Sequence, residues 1–250
     1  MQKTLAYSGT IWYDAHREVR IMEKKGLPQE GLKLIACITM LIDHIGAVFF
    51  PSVMILRIIG RLSFPIYCFL LAEGAAYTKH AGRYALRLLI CAVVSELPHD
   101  LAFYGRLTLG SLSVMANLLI GFGMLWAIGK TRKWWLKVVF IGIAMVLARI
   151  LDANYDYYGI LVIAAFGLTR EKPFGWAVQM LTLAVLFWVM PSAKIALGNF
   201  RMPVQFFGVL ALIPIMLYSG RKVTANKWVQ WGFYLFYPLH LLVLYLIKLI

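Results

Sequence analysis

The run LKLIACITMLIDHIGAVFFP, residues 32 to 51, is apolar enough to cross a bilayer, yet it holds Asp43 and His44 side by side near its middle. A neutral imidazole near pH 7 can take a proton from an amine or hydroxyl nucleophile. A carboxylate can fix the tautomer of such a ring and support the imidazolium that forms. Ionisable groups inside a membrane helix cost about 2.5 to 3.5 kcal/mol each on insertion scales, and they tend to line a cavity or pair with one another. The chain has many more of them: Arg57, Arg61, Glu73, Arg87, Glu96, His99, Asp100, Arg149 and His240, together with the neutral Asn117.

The elements that would position these groups follow from composition. Of 250 residues, 62% are hydrophobic and 14% charged, against about 25% charged in a soluble domain. Apolar runs of membrane-spanning length recur. They predict an all-α, polytopic membrane bundle of about nine spans, near 34–50, 53–78, 84–104, 111–129, 134–151, 157–169, 174–190, 204–219 and 228–249. The sixth is short, and no strand alternation stands out. Residues 1–31 read as a cytoplasmic tail and 32–250 as one transmembrane domain. The net charge of +14 collects in alternate loops, in the tail, TKHAGRY, GKTRKWWLK, LTREKPFG and SGRKVTANK. By the positive-inside rule the N-terminus is cytoplasmic and the C-terminus outside. The basic excess thus reads as topology, and nucleic acid is not an expected partner; membrane lipids are. The tail lacks the apolar core of a signal peptide, and Met22 is the expected natural start. Cys37, Cys68 and Cys91 lie inside spans with no C-x-x-C spacing and read as small core residues.

Depth sharpens the polar set. At about 1.5 Å per residue, His44 lies roughly 15 Å from the cytoplasmic edge and His240 and Glu96 about 18 Å, with His99 and Asp100 a little farther. Arg61 and Asn117, counted from the outer edge, fall at comparable levels. Arg57 and Arg61 share a helix face, as do Glu96, His99 and Asp100, and as do Tyr237 and His240. Asp43 and His44 point about 100° apart, so one is free to face a cavity while the other meets an arginine of the second span. Pro65 and Pro98 are expected to kink their helices and free carbonyls beside this layer. The plainer reading of Arg57, Arg87, Arg149 and Glu73 is a set of structural clamps, and a lone histidine can simply bond a carbonyl.

Three chemistries suit such a layer. Metal binding is not expected: there is no H-E-x-x-H or paired-cysteine spacing, and several arginines would repel a cation. Proton-coupled transport would use the same relay of carboxylates and histidines, although no inverted repeat is apparent. Acid–base catalysis on a group delivered through the membrane would use His44 or His240 as base, with Arg57 and Arg61 suited to an oxyanion or anionic acceptor. Composition and spacing leave the last two open.

The segments LKLIACITMLIDHIGAVFFP, LRIIGRLSFPIYCFLLAEGAAYT and YALRLLICAVVSELPHDL, with DYYG, LYSGRK and the closing FYLFYPLHLLVL, resemble the TraX family over roughly residues 31 to 250. The family consists of bacterial inner-membrane proteins named for the acetylase of F pilin. The matched positions are Asp43, His44, Arg57, Arg61, Glu73, Glu96, Asp156, Tyr237 and His240. The departures are His99, where an aromatic residue is expected, and Tyr158, a place often held by Gly. The resemblance implies a multi-pass inner-membrane N-acetyltransferase that takes acetyl groups from cytosolic acetyl-CoA. Its acceptor would be a peptide, a pilin or a small molecule; an O-acyltransferase acting on an extracytoplasmic glycan or lipid headgroup would share the donor. Under that reading His44, Asp43, His240 and Glu96 are the catalytic set. Arg57, Arg61, His99, Asp100, Asn117, Asp156 and Tyr237 would bind the acceptor or oxyanion. Lys130, Arg132, Lys133, Arg221 and Lys222 would hold donor phosphates, with Trp134 or Trp135 stacking on adenine.

Overall fold

The computed structural model describes residues 26–108, 110–170, 172–197, 200–223 and 226–250. The expected start at Met22, and most of the tail, lie outside the described residues. The chain forms α1 (Gln29–Phe49), α2 (Met54–Gly60), α3 (Ser63–Tyr77), α4 (Ala81–Tyr104), α5 (Val114–Gly129), α6 (Trp134–Ile150), α7 (Asp156–Thr169) and α8 (Gly175–Val189). A short antiparallel hairpin, β1 (Lys194–Leu197) and β2 (Phe200–Pro203), leads into a 3-10 helix over Val204–Ala211, then α9 (Leu212–Met216) and α10 (Lys227–Lys248).

The bundle is apolar inside and outside. Phe64, Ile66, Ile160, Ile163, Phe166, Leu183, Phe187 and Leu241 fill the interior, while Leu89, Val93, Val146, Leu181 and Val243 stand exposed on the outer faces. A soluble bundle would put charge on those faces. Gln29–Phe49, Met54–Tyr77 and Trp228–Lys248 are long and apolar enough to cross a membrane, and Val114–Gly129, Asp156–Thr169, Gly175–Val189 and Val204–Met216 are shorter apolar helices. Helix α4 has 24 residues but carries Arg83, Arg87, Glu96 and Asp100.

Three local features depart from the sequence expectation. The second apolar run is broken between α2 and α3. Pro65 has no N–H to give the Arg61 carbonyl and its ring crowds that turn, so the ladder is interrupted at Arg61 and Leu62, where the backbone stays right-handed helical, and resumes at Ser63. The run near 204–219 is mostly 3-10 helix, and Gly208 lets it come close to Phe187 and the Arg61 carbonyl. The hairpin was not anticipated, although Gly198-Asn199 between two four-residue stretches is a turn signal.

Two ties hold the helix ends. Leu27 and Gln29 donate backbone N–H groups to the Leu217 and Arg221 carbonyls, fastening the start of α1 to the segment after α9. Asn117 on α5 is fully buried; its oxygen accepts from the Tyr155 N–H at 2.8 Å and its amide donates to the Asp156 carbonyl at 2.9 Å. That side chain fixes the entry to α7.

Candidate functional site

Helices α1, α4 and α10 pack together and bring the histidines into one cluster. Nδ1 of His44 lies 2.6 Å from Nε2 of His240. Their centroids are 4.9 Å apart and their planes differ by 7°, so the rings meet edge to edge in nearly one plane. Nδ1 of His240 lies 2.6 Å from the Phe236 carbonyl one turn back. A carbonyl only accepts, so Nδ1 of His240 carries a proton. Nε2 of a neutral His240 is then a lone pair, and it accepts from Nδ1–H of His44. The proton-free nitrogen of His44 is therefore Nε2, which has no hydrogen bond among the described residues. The chain of bonds from Phe236 leaves Nε2 of His44 as the ring nitrogen able to take a proton.

Aromatic rings surround the pair. Phe103 meets His44 edge-on at 5.3 Å and His99 at 5.1 Å, so His99 belongs to the cluster through Phe103. Tyr237 lies 6.2 Å from His44 and 5.8 Å from His240. Pro238 inside α10 cannot bond the Tyr234 carbonyl, and that oxygen instead accepts from the Cys91 thiol at 3.4 Å.

Asp43 faces the other side of α1. Its carboxylate pairs with Arg57 at 2.9 Å and Arg61 at 2.5 Å, and Arg61 also donates to Gln205 at 3.0 Å. Gly60 makes room: a Cβ there would overlap the Asp43 carboxylate. This acid is held by two cations and does not touch the His44 ring. Glu96 accepts from the Ser113 N–H and hydroxyl, capping α5. The imidazole is oriented by His240 and a carbonyl, where sequence reasoning had looked to Asp43 or Glu96.

The remaining residues divide similarly. Asp100 accepts from the Thr108 N–H at 2.7 Å and sits 3.4 Å from His99. Ligand atoms of Glu96, His99 and Asp100 lie within 4.8 Å of one another, a grouping of metal-ligand type, but both carboxylates already accept backbone N–H groups. Asp156 pairs with the exposed Arg149 at 2.6 Å and caps Tyr157, and Tyr157 stacks on Tyr158.

A cavity of about 1180 Å³ enters from the end of the bundle that holds the start of α1, the end of α3 and the start of α4. Its wall includes Lys33, Glu73, Arg87, Arg170 and Lys222, and it runs inward past Tyr67, Cys91 and Met115 to Tyr237. Tyr237, which lies beside both rings, lines it, and neither His44 nor His240 does. Of the residues expected to hold a nucleotide, Lys222 lines the cavity. Lys130 lies over Trp126 and Lys133 over Trp135, Trp134 is exposed on the same turn along with Arg132, and Arg221 bonds the Gly26 carbonyl. None of these basic residues or tryptophans lines the cavity. Sequence reasoning missed Lys33, Tyr84, Tyr234 and the Phe236 carbonyl; only the three-residue spacing of Tyr84 and Arg87 hinted at a shared face.

The fold and the site define a helical membrane protein with a polar interior and a deep cavity. The chain belongs to the TraX family, whose model, described as TraX protein, matches residues 28–248. It is 35% identical over 88 residues to "Uncharacterized protein RP591" of Rickettsia prowazekii, a match covering 35% of this chain and only 34% of that protein. It is 28% identical over 235 residues to "Probable fimbrial assembly protein FimC, serogroup H1" of Dichelobacter nodosus, covering 85% of this chain and 92% of that one. No solved structure matches the chain.

Proposed function

We propose that residues 32–250 form a transmembrane acyltransferase that moves an acetyl group from cytosolic acetyl-CoA to an acceptor amine, such as a pilin or peptide N-terminus, at the outer half of the bacterial inner membrane. The observation that carries this is the placement of the cavity. It enters at the end bearing Lys33, Arg87, Arg170 and Lys222, the end that the positive-inside rule puts in the cytoplasm, and leads to Tyr237 beside the histidine pair. The fimbrial assembly name of the Dichelobacter relative supports a pilin as acceptor.

In this reading the thioester carbonyl passes Tyr237 and meets a neutral amine at His44. As the amine nitrogen attacks the carbonyl carbon, Nε2 of His44 takes its proton. The imidazolium keeps its Nδ1–H bond to His240, which spreads the new charge toward the Phe236 carbonyl. Collapse of the tetrahedral species breaks the carbon–sulfur bond, and the proton on Nε2 goes to the departing thiolate. An amide and free CoA result, and the histidine is restored. Tyr237 and the cluster around His99 would meet the carbonyl oxygen or the acceptor, while Arg57 and Arg61 are joined to Asp43 on the neighbouring face of α1.

The test is an assay of purified protein with acetyl-CoA and an N-terminal pilin peptide, reading CoA release and peptide mass. A mass gain of one acetyl group on the α-amine supports the reading. Acetyl transfer to a hydroxyl alone would shift it to O-acylation, and solute uptake into liposomes without CoA release would replace it with transport.

A further inference from the structure

The cavity holds more positive charge than the protein neutralises. Glu73 is committed to Arg170 at 2.7 Å. Lys33, Arg87 and Lys222 have no carboxylate within ion-pair distance among the described residues. Two of these cations rest on aromatic faces: Lys33 lies 5.3 Å over Phe233, and Arg87 lies 5.5 Å over Tyr84 and 5.8 Å over Tyr234. A ring face holds a cation in place without cancelling its charge. Nε of Arg87 is moreover buried with no hydrogen-bond partner, and such a donor is costly unless something fills it.

The positive charge occupies one end only. Beyond Arg87 the cavity wall passes to Leu88, Cys91, Met115 and Tyr237, none of them charged at neutral pH. On α1, Lys33 precedes His44 by eleven residues, a rise of about 16 Å; on α10, Tyr234 precedes His240 by six, a rise of about 9 Å. A fitting ligand carries its anionic groups at one end and its reactive carbonyl roughly 10 to 16 Å away, joined by an uncharged arm.

We propose that Arg87, with Lys33 and Lys222, is the phosphate-binding site of the acyl donor, a thioester bearing phosphate esters at the far end of an uncharged arm. The proposal rests on the acyltransferase reading and adds to it which residues hold the donor. The planar fork of Arg87 suits a bidentate bond to phosphate, and Lys33 and Lys222 supply point charges at the mouth. The basic α5–α6 turn has no part in it.

The experiment uses the full chain in phosphatidylcholine nanodiscs, with CoA as the binding probe and acetyl-CoA and acetyl-pantetheine, which lacks phosphate, as paired donors. In the wild type, acetyl-CoA is the better donor. Arg87→Gln is expected to weaken CoA binding at least tenfold and to shrink the kcat/KM advantage of acetyl-CoA over acetyl-pantetheine by a similar factor. The doubly substituted Lys33→Gln, Lys222→Gln protein should do the same and carries the test if Arg87→Gln does not fold. Lys130→Gln with Arg132→Gln should change neither. Wild-type binding of CoA with no loss in either set of cavity variants overturns this proposal and leaves the acyltransferase reading standing. Absence of CoA binding in the wild type overturns both. Displacement of CoA by phosphatidylglycerol, itself dependent on Arg87, would make the occupant a lipid phosphate and overturn the donor assignment.

Discussion

The Nδ1–H of His44 points at the Nε2 lone pair of His240, and His240 in turn is fixed by the Phe236 carbonyl. Each ring sets the tautomer of the next, so the order of protons is dictated from the α10 backbone outward. In the proposed reaction this order makes His44 the base and His240 its positioning residue. His44→Ala is expected to lower turnover by about 10²–10⁴, the range for a general base, with the melting temperature unchanged. His240→Ala should cost less and His240→Gln less again, because a glutamine oxygen can still accept from His44. Equal losses from His44→Ala and His240→Gln would remove the ordering.

Turnover should depend on pH through this pair. The base works only with Nε2 of His44 free, so the rate should fall as pH drops through the apparent titration of the pair and level off above it. The two rings are joined by a hydrogen bond of 2.6 Å, so any apparent pKa in the profile belongs to the pair and not to one ring. A pH profile of kcat/KM with an acid limb of unit slope is the expected result, because the first proton the pair takes up occupies the base; a limb of slope two would show that two protons must leave before turnover.

Asp43 with Arg57 and Arg61 forms a buried cluster in which one carboxylate answers two cations. Removing the acid alone should be worse than removing acid and cation together. Asp43→Asn is expected to destabilise by about 3–5 kcal/mol, the range for an uncompensated buried charge, and the added change Arg61→Met should recover part of it. Chemical denaturation in detergent measures both. Recovery of stability without recovery of activity would place Arg61 at the substrate.

Gly60 is where α2 crosses α1 against Asp43. Gly60→Ala should cost about 1–3 kcal/mol through overpacking and weaken the same ion pairs, so its effect should not add to that of Asp43→Asn. Simple additivity in denaturant midpoints would contradict this packing.

Asn117→Ala removes both bonds at the entry to α7. It should cost about 2 kcal/mol while leaving the KM for acceptor within twofold at a temperature where the protein is folded. A large KM change would give Asn117 a direct role in binding.

Sequence depth was enough to gather His44, His240 and His99, because a fixed rise per residue turns position along a span into level in the membrane. The different directions of Asp43 and His44 followed from the helical angle alone. An arginine of the second span as the partner of one of this pair was also expected, and Asp43 meets two. The partners of His44 and Glu96, which are His240 and Ser113, did not follow, because those choices depend on rotation of whole helices. The residues proposed for the donor were least legible. Lys33 and Arg87 look like Lys130 and Arg132 in sequence, all being basic residues near span ends, and only the gap among α1, α3, α4 and α10 distinguishes them. The interruption near Pro65 was written locally and was read from it; the antiparallel pairing of Lys194–Leu197 with Phe200–Pro203 carried a turn signal in sequence and could have been read.

The central claim is that an acyl group crosses from the cavity to an acceptor at His44. The most direct measurement is CoA release from acetyl-CoA by the purified protein in nanodiscs, with and without a peptide amine, for the wild type and His44→Ala. The account predicts amine-dependent release with acetylated peptide in the wild type and release at background in the variant. Peptide acetylation that survives His44→Ala undiminished would contradict it.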